Sequence, residues 1–181
     1  MPFDLQPTLQ GQVVRLEPLK PTDFEALYAV ASDPLIWEQH PNSDRHKEDV
    51  FREFFREALE SGGAFLIYDA ATGQLIGSSR YHGYNEEKRE IEIGWTFLAR
   101  SHWGGTYNRE LKALMLQHAF QYVESVLFVV GPQNFRSQQA LRKIGAIPIG
   151  SRLKPNGRED LVFQITAASF GSGPLSPALK L

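Results

Sequence analysis

A chain of 181 residues has room for one domain with a sizeable core and not for two. Lys and Arg number 19 against 21 Asp and Glu, a net charge of −2, so no basic field draws the molecule onto nucleic acid or an anionic membrane. The absence of cysteine excludes a disulfide framework, a thiolate metal site and a cysteine nucleophile; with no secretory signal in MPFDLQPTLQGQ and no apolar run of bilayer-spanning length, a soluble cytoplasmic protein is expected.

Gln12 to Leu16 alternates weakly and predicts a first strand, after which Pro21, Thr22 and Asp23 open a helix to about Ala31, stopped by Ser32-Asp33-Pro34. A second helix runs from about His46 to Leu59, with Val50, Phe51, Phe54, Phe55 and Leu59 on one face, and ends at Gly62-Gly63. AFLIYD at 64–69 and QLIGSSRYHG at 74–83, separated by ATG, predict an antiparallel hairpin that REIEIGWTFL at 89–98 extends. Alternation on that third strand puts Glu90, Glu92, Gly94 and Thr96 on one face, with Ile91, Ile93 and Trp95 on the other.

A helix over 107–122 follows, then SVLFVV at 125–130, an apolar run suited to a strand buried on both faces. Strand, helix and strand make one βαβ crossover with the two strands parallel. A helix from Ser137 to Ile144 ends at Gly145, with strands near Ala146–Leu153 and Asp160–Thr166. The fold class expected is α/β (α+β): one domain over residues 1–168 with a mixed, mostly antiparallel sheet flanked by helices, and a loose tail over 169–181, rich in Gly, Ser and Pro.

The stretch RSHWGGTYNRELKALML, Arg100 to Leu116, sets two glycines directly before the central helix. Glycines let another group approach the backbone closely, and a helix start offers unpaired N–H donors and the positive end of the helix dipole. That group is either a neighbouring chain segment at a plain turn or a phosphate. No Gly-Lys-Ser/Thr follows, and the G-x-G-x-x-G spacing is absent, so the loop is neither a Walker loop nor a dinucleotide fingerprint.

The order GSSR (77–80), EIGWTFL (92–98), WGGTYNRELKALML (103–116), HAF (118–120) and NFRSQQALRKIGA (134–146) resembles the GNAT superfamily of coenzyme A-dependent N-acetyltransferases, in particular the branch of ribosomal-protein N-terminal acetyltransferases. The resemblance covers roughly Gly11 to Thr166. It implies acetyl-CoA as co-substrate, its pyrophosphate over Gly104, Gly105, Thr106, Tyr107 and Asn108, and its pantetheine arm along the backbone of Phe97 and Leu98, where the parallel strands part. Against the family's Gln/Arg-x-x-Gly-x-Gly/Ala loop, Ser101 stands at the basic position, Thr106 at the second glycine and Asn108 at the following small residue.

Acetyl transfer to an amine needs a route for the ammonium proton, a polarised thioester carbonyl and a proton for the leaving thiolate. Glu92, two residues before Gly94, is a base acting through water or a solvated or hydrogen-bonded strand glutamate. Asn134 and Ser137 form the N-x-x-S pattern of a helix cap. By resemblance Asn134 also meets the pantetheine arm, Ser137 is a proton donor near the sulfur, Arg136 approaches the phosphates, and the WEQHPN connection, with Trp37 and His40, lines the acceptor side; the alternative for that connection is a packed loop with His40 merely hydrogen-bonded. Arg80 is read as acceptor-binding or as a surface charge, His82 and Arg136 carry the same surface alternative, and Tyr81, Tyr84 and Tyr107 are further acids that spacing does not choose between. No metal set emerges from His40, His46, His82, His102 and His118. The reading is direct acetyl transfer to a primary amine, on a protein N-terminus or a small molecule; the rivals are an acyl-CoA sensor and an unliganded interaction domain. An exposed strand edge could pair two copies into a homo-oligomer.

Overall fold

The computed structural model describes residues 2–176. Its strands are β1 (Leu9–Gln10), β2 (Val14–Pro18), β3 (Ala64–Asp69), β4 (Leu75–Asn85), β5 (Glu90–Leu98), β6 (Ser125–Val130), β7 (Ile147–Leu153) and β8 (Glu159–Thr166). The helices are α1 (Phe24–Ala31), α2 (Glu48–Ser61), α3 (Thr106–Ala119), α4 (Phe135–Lys143) and α5 (Ala167–Ser172). The strands form one sheet in the order β1-β2-β3-β4-β5-β6-β8-β7, antiparallel except for the β5–β6 pair. The mixed sheet and the crossover through α3 are as the sequence predicts.

Each face of the sheet carries its own core. Leu111, Met115 and Leu116 of α3 pack with Ile91, Ile93, Val126 and Phe128, because a central helix covered by a sheet must bury more than one stripe. On the opposite face Phe51, Phe54 and Phe55 of α2 pack with Leu27, Trp37 and Phe97. The apolar face of α2 repeats at helical spacing while its outer face carries Glu48–Arg52 and Arg56–Glu60 ion pairs, and Gly62 ends the helix at φ +64°.

Two expectations are corrected. Gly94 pairs with Arg80 and Phe97 with Ser78, so Trp95 and Thr96 together oppose Ser79, and Trp95 takes φ +53°. This extra residue is a β-bulge, which breaks the period of two. Thr96 therefore turns toward α3, where its hydroxyl meets Lys112 and Ser79, and Trp95 joins the aromatic cluster on the other face. The tail is also tied down as far as it is described: Thr166 caps α5, Leu175 is buried, and Arg109 donates to the Pro174 carbonyl. Residues 177–181 lie outside the described residues.

Candidate active site

β5 and β6 pair over only three positions, the last being Glu92 with Leu127, although β5 continues to Leu98 and β6 to Val130. Beyond Glu92 the strands part, and the inner edge of β5 has no strand partner. The bulge at Trp95 lies inside this gap, so the opening is built by the extra residue and not by a strand end. Phe97 and Leu98 lie on β5 beyond that point, and the Leu98 carbonyl already accepts from Trp103 Nε1 (2.9 Å).

The glycine turn stands at the mouth of the gap. Gly104 and Gly105 have φ values of +112° and +100°, and a Cβ on either would meet nothing within 4 Å. The turn therefore faces open space: glycine serves backbone conformation and outside access, not a neighbouring chain segment. Gly105 is the N-cap of α3 and no side chain caps it, so the N–H groups of Thr106, Tyr107 and Asn108 head an uncapped helix, the arrangement that binds a phosphate.

The turn is held from below. His102 Nε2 lies 3.0 Å from Asp69 Oδ2 at the end of β3, Tyr107 donates to the same oxygen (3.2 Å), and Ser101 Oγ sits 2.8 Å from His102 Nδ1. The Glu110 carboxylate accepts from the N–H groups of Gln12, Val13 and Val14 at 2.8, 2.6 and 2.8 Å, tying α3 to the β1–β2 hairpin. Arg136 lies 3.9 Å over the Trp103 ring beside the turn and donates to the Ile36 carbonyl.

Glu92 is 8 % exposed at the start of the gap. Its Oε2 accepts from Arg152 Nη1 of β7 (3.2 Å), while Oε1 lies 3.7 Å from the point where a Cβ on Gly94 would stand. One oxygen is thus held and the other borders the gap. At the end of β6, Asn134 Oδ1 accepts from Ser137 N (3.3 Å), the cap the sequence predicts, and α4 begins at Phe135 rather than Ser137. Gly131 lets Pro41 approach this corner, since a Cβ there would lie 2.4 Å from Pro41 Cγ. The WEQHPN connection and the end of β6 are brought together by that contact, bordering a cleft of about 520 Å³ lined by Glu38, His40, Pro132, Phe135 and Arg158.

Among the tyrosines, Tyr81 is buried in the α3 core with its hydroxyl on the Met115 carbonyl, and burial pushes its pKa well above the usual value. Tyr107 is engaged by Asp69, and Tyr84 meets the Phe3 ring edge-on.

His40 is neutral: burial, then the charge of Arg45, lowers its pKa to about 3. Arg80 is 3 % exposed, so its surface alternative is overturned; it lies over Trp95 (4.4 Å) and Phe54 (5.2 Å). Three residues at the site were not singled out from sequence. Arg45 and Arg152 carry no local pattern, but Lys112, between Leu111 and Ala113 and three residues before Met115, stands on the buried face of a helix. Its ammonium reaches Thr96 Oγ1 of β5 (2.6 Å) and lies 5.9 Å from the Phe128 ring of β6, bridging the two diverging strands.

A family model described as an acetyltransferase (GNAT) domain matches residues 14–147. The chain belongs to the GNAT acetyltransferase family. Among curated proteins none matches. Solved structures share the fold: a GCN5-related N-acetyltransferase from Brucella melitensis is 19% identical with a TM-score of 0.78, over 93% of this chain and 82% of that one. Mycobacterium smegmatis RimJ, solved with CoA-disulfide, is 20% identical with a TM-score of 0.71, over 93% and 90%. Spermidine N-acetyltransferase from Vibrio cholerae, solved with CoA and spermine, is 19% identical with a TM-score of 0.66, over 88% and 99%. GNAT enzymes use acetyl-CoA, and the open glycine turn, uncapped helix and parted strands of this member suit that co-substrate.

Proposed function

We propose that this protein transfers the acetyl group of acetyl-CoA directly to a primary amine, of a small molecule or a protein N-terminus. The observation that carries the reading is the parting of β5 from β6 at Glu92: the same short stretch supplies an unpaired strand edge, a carboxylate with one free oxygen, and the Asn134–Ser137 corner opposite. Bound acetyl-CoA supplies the activated thioester.

The N–H groups of residues 106–108 and the Arg136 guanidinium would hold the phosphates, and the unpaired edge of β5 beyond the bulge would hydrogen-bond the arm. Glu92 Oε1, through a water, takes the proton of the incoming ammonium. The amine nitrogen then bonds to the carbonyl carbon as the carbon–sulfur bond breaks. Ser137 Oγ gives its proton to the departing thiolate and Asn134 positions the arm. Trp37, His40 and Arg80 line the acceptor side, and no covalent intermediate on the protein is required.

Release of free thiol from acetyl-CoA, measured over a panel of amines, tests the reading. Amine-dependent release is expected. Binding of CoA without release for any amine would leave an acyl-CoA sensor, and absence of any thermal shift with CoA would leave an interaction domain. The homo-oligomer reading rests on β7, an edge strand with Ile147, Ile149 and Leu153 exposed; a monomer in sedimentation would end it.

A further inference from the structure

The face that Glu92 shares with β4 is dominated by positive charge. Arg80 pairs with Gly94 and His82 with Glu92, so Arg80 and Glu92 project on the same side as diagonal neighbours, about 7–8 Å apart at Cα in such ladders. The Arg80 guanidinium has one long hydrogen bond, Nη2 to the Phe54 carbonyl (3.4 Å), and its buried Nε has no partner. Arg45, from the turn before α2, lies over the same Phe54 ring (4.9 Å) and over Trp37 (5.6 Å), with His40 Nε2 3.2 Å from its Nη1. His40 is neutral and adds no charge beside Arg45; its Nδ1 accepts from the Asn42 N–H (3.0 Å).

Among the described residues no carboxylate is within ion-pair distance of either guanidinium. Glu92 is paired with Arg152, Asp160 with Arg158, and Glu57 stands exposed on α2, acting on Arg45 and Arg80 only through space. Burial is the largest cause that lowers both pKa values to about 10; the charge of Arg45 adds to it at Arg80 and that of Arg158 at Arg45, against the more distant carboxylates of Glu57 on both, Glu92 on Arg80 and Asp44 on Arg45. Two like charges held together in an aromatic setting destabilise the fold unless an anion joins them.

We propose that the acceptor is a primary amine that also carries a carboxylate, bound by Arg80 and Arg45 while its amine faces Glu92. The inference rests on the reading that the Glu92 face is the acceptor side. The buried Arg80 Nε–H is a donor left unsatisfied, and a guanidinium edge binds a carboxylate with two charge-assisted hydrogen bonds. A small amino acid spans the gap between Arg80 and Glu92. A polyamine would set its second ammonium against two arginines, so this site disfavours it.

Thiol release is measured for matched pairs that differ only in the carboxylate: alanine with ethylamine, phenylalanine with phenethylamine, and lysine with cadaverine, together with spermine. In the wild type the carboxylated member of at least one pair is expected to show a kcat/KM higher by roughly tenfold to a hundredfold, the range for a hydrogen-bonded charge pair. In Arg80→Gln, and independently in Arg45→Gln at a partly exposed turn, that ratio falls toward one through KM, a change that general misfolding would not produce. A ratio near or below one in the wild type, better turnover of spermine than of any amino acid, or a ratio that survives both variants would overturn the proposal. Calorimetry of the same pairs with CoA present separates this inference from the reading beneath it. Carboxylate-dependent binding that Arg80→Gln abolishes, without turnover, keeps the anion site and ends the transferase reading. No carboxylate-dependent binding ends the anion site.

Discussion

Replacing Lys112 by methionine should stabilise this protein, and by an amount that depends on pH in one direction only. Lys112 is 5 % exposed, its one polar partner among the described residues is Thr96 Oγ1 at 2.6 Å, and burial lowers its pKa from 10.5 to about 7. At about 1.4 kcal/mol per unit, the 3.5 units between 10.5 and 7 correspond to about 5 kcal/mol against burying the cation, an upper bound. Because the folded pKa is the lower one, the unfolded chain holds a proton that the folded chain lacks between pH 7 and 10.5, so wild-type stability from this group rises with pH across that window. Below pH 7 the full cost is present, and toward pH 10.5 it is gone.

Methionine is similar in length, carries no charge and adapts to irregular cavities. Lys112→Met should therefore exceed the wild type by several kcal/mol at pH 6. The advantage shrinks as pH rises and reverses slightly near pH 10, where only the lost hydrogen bond to Thr96, about 1 kcal/mol, remains. Urea unfolding of both proteins at intervals from pH 6 to 10 measures the difference, in which all other titrating groups cancel. A difference that stays flat with pH, or a wild type more stable at pH 6, would refute the reasoning, because a buried cation without a carboxylate could produce neither.

Gly104→Val places a β-branched residue at φ +112° in the open turn and should weaken CoA binding at least tenfold, read by calorimetry on folded protein; unchanged affinity would mean that the phosphates lie elsewhere. Asn134→Ala removes the α4 cap, worth about 1 kcal/mol, and should lower the rate of acetyl transfer far more than it lowers the melting temperature. Equal activity per folded molecule would leave Asn134 as a cap alone. Glu92→Gln should cut kcat by roughly a hundredfold near neutral pH, with partial recovery as pH rises and more acceptor arrives as free amine. A small loss without pH dependence would show that Glu92 orients the strand or the acceptor and takes no proton.

Local pattern by itself determined most of the elements. The helical spacing of Phe51, Phe54 and Phe55, the apolar run at 125–130, and the two glycines ahead of α3 each express a rule that acts within a few residues, so they are legible without knowing what lies opposite. The cap at Asn134 belongs with them. What the sequence left open depended on pairing across distance. The bulge at Trp95 exists only relative to Ser79 on β4, and it reversed the facing of Trp95 and Thr96 that strict alternation implies. The Asp69–His102–Tyr107 anchor, the ion pair of Glu92 with Arg152 sixty residues away, and the burial of Arg80 likewise join residues from separate elements. Charge gives no sign in a sequence of whether water or an aromatic ring will surround it, because that is decided when the sheet and helices close over it, and it is there that this protein acquires its unpaired cations.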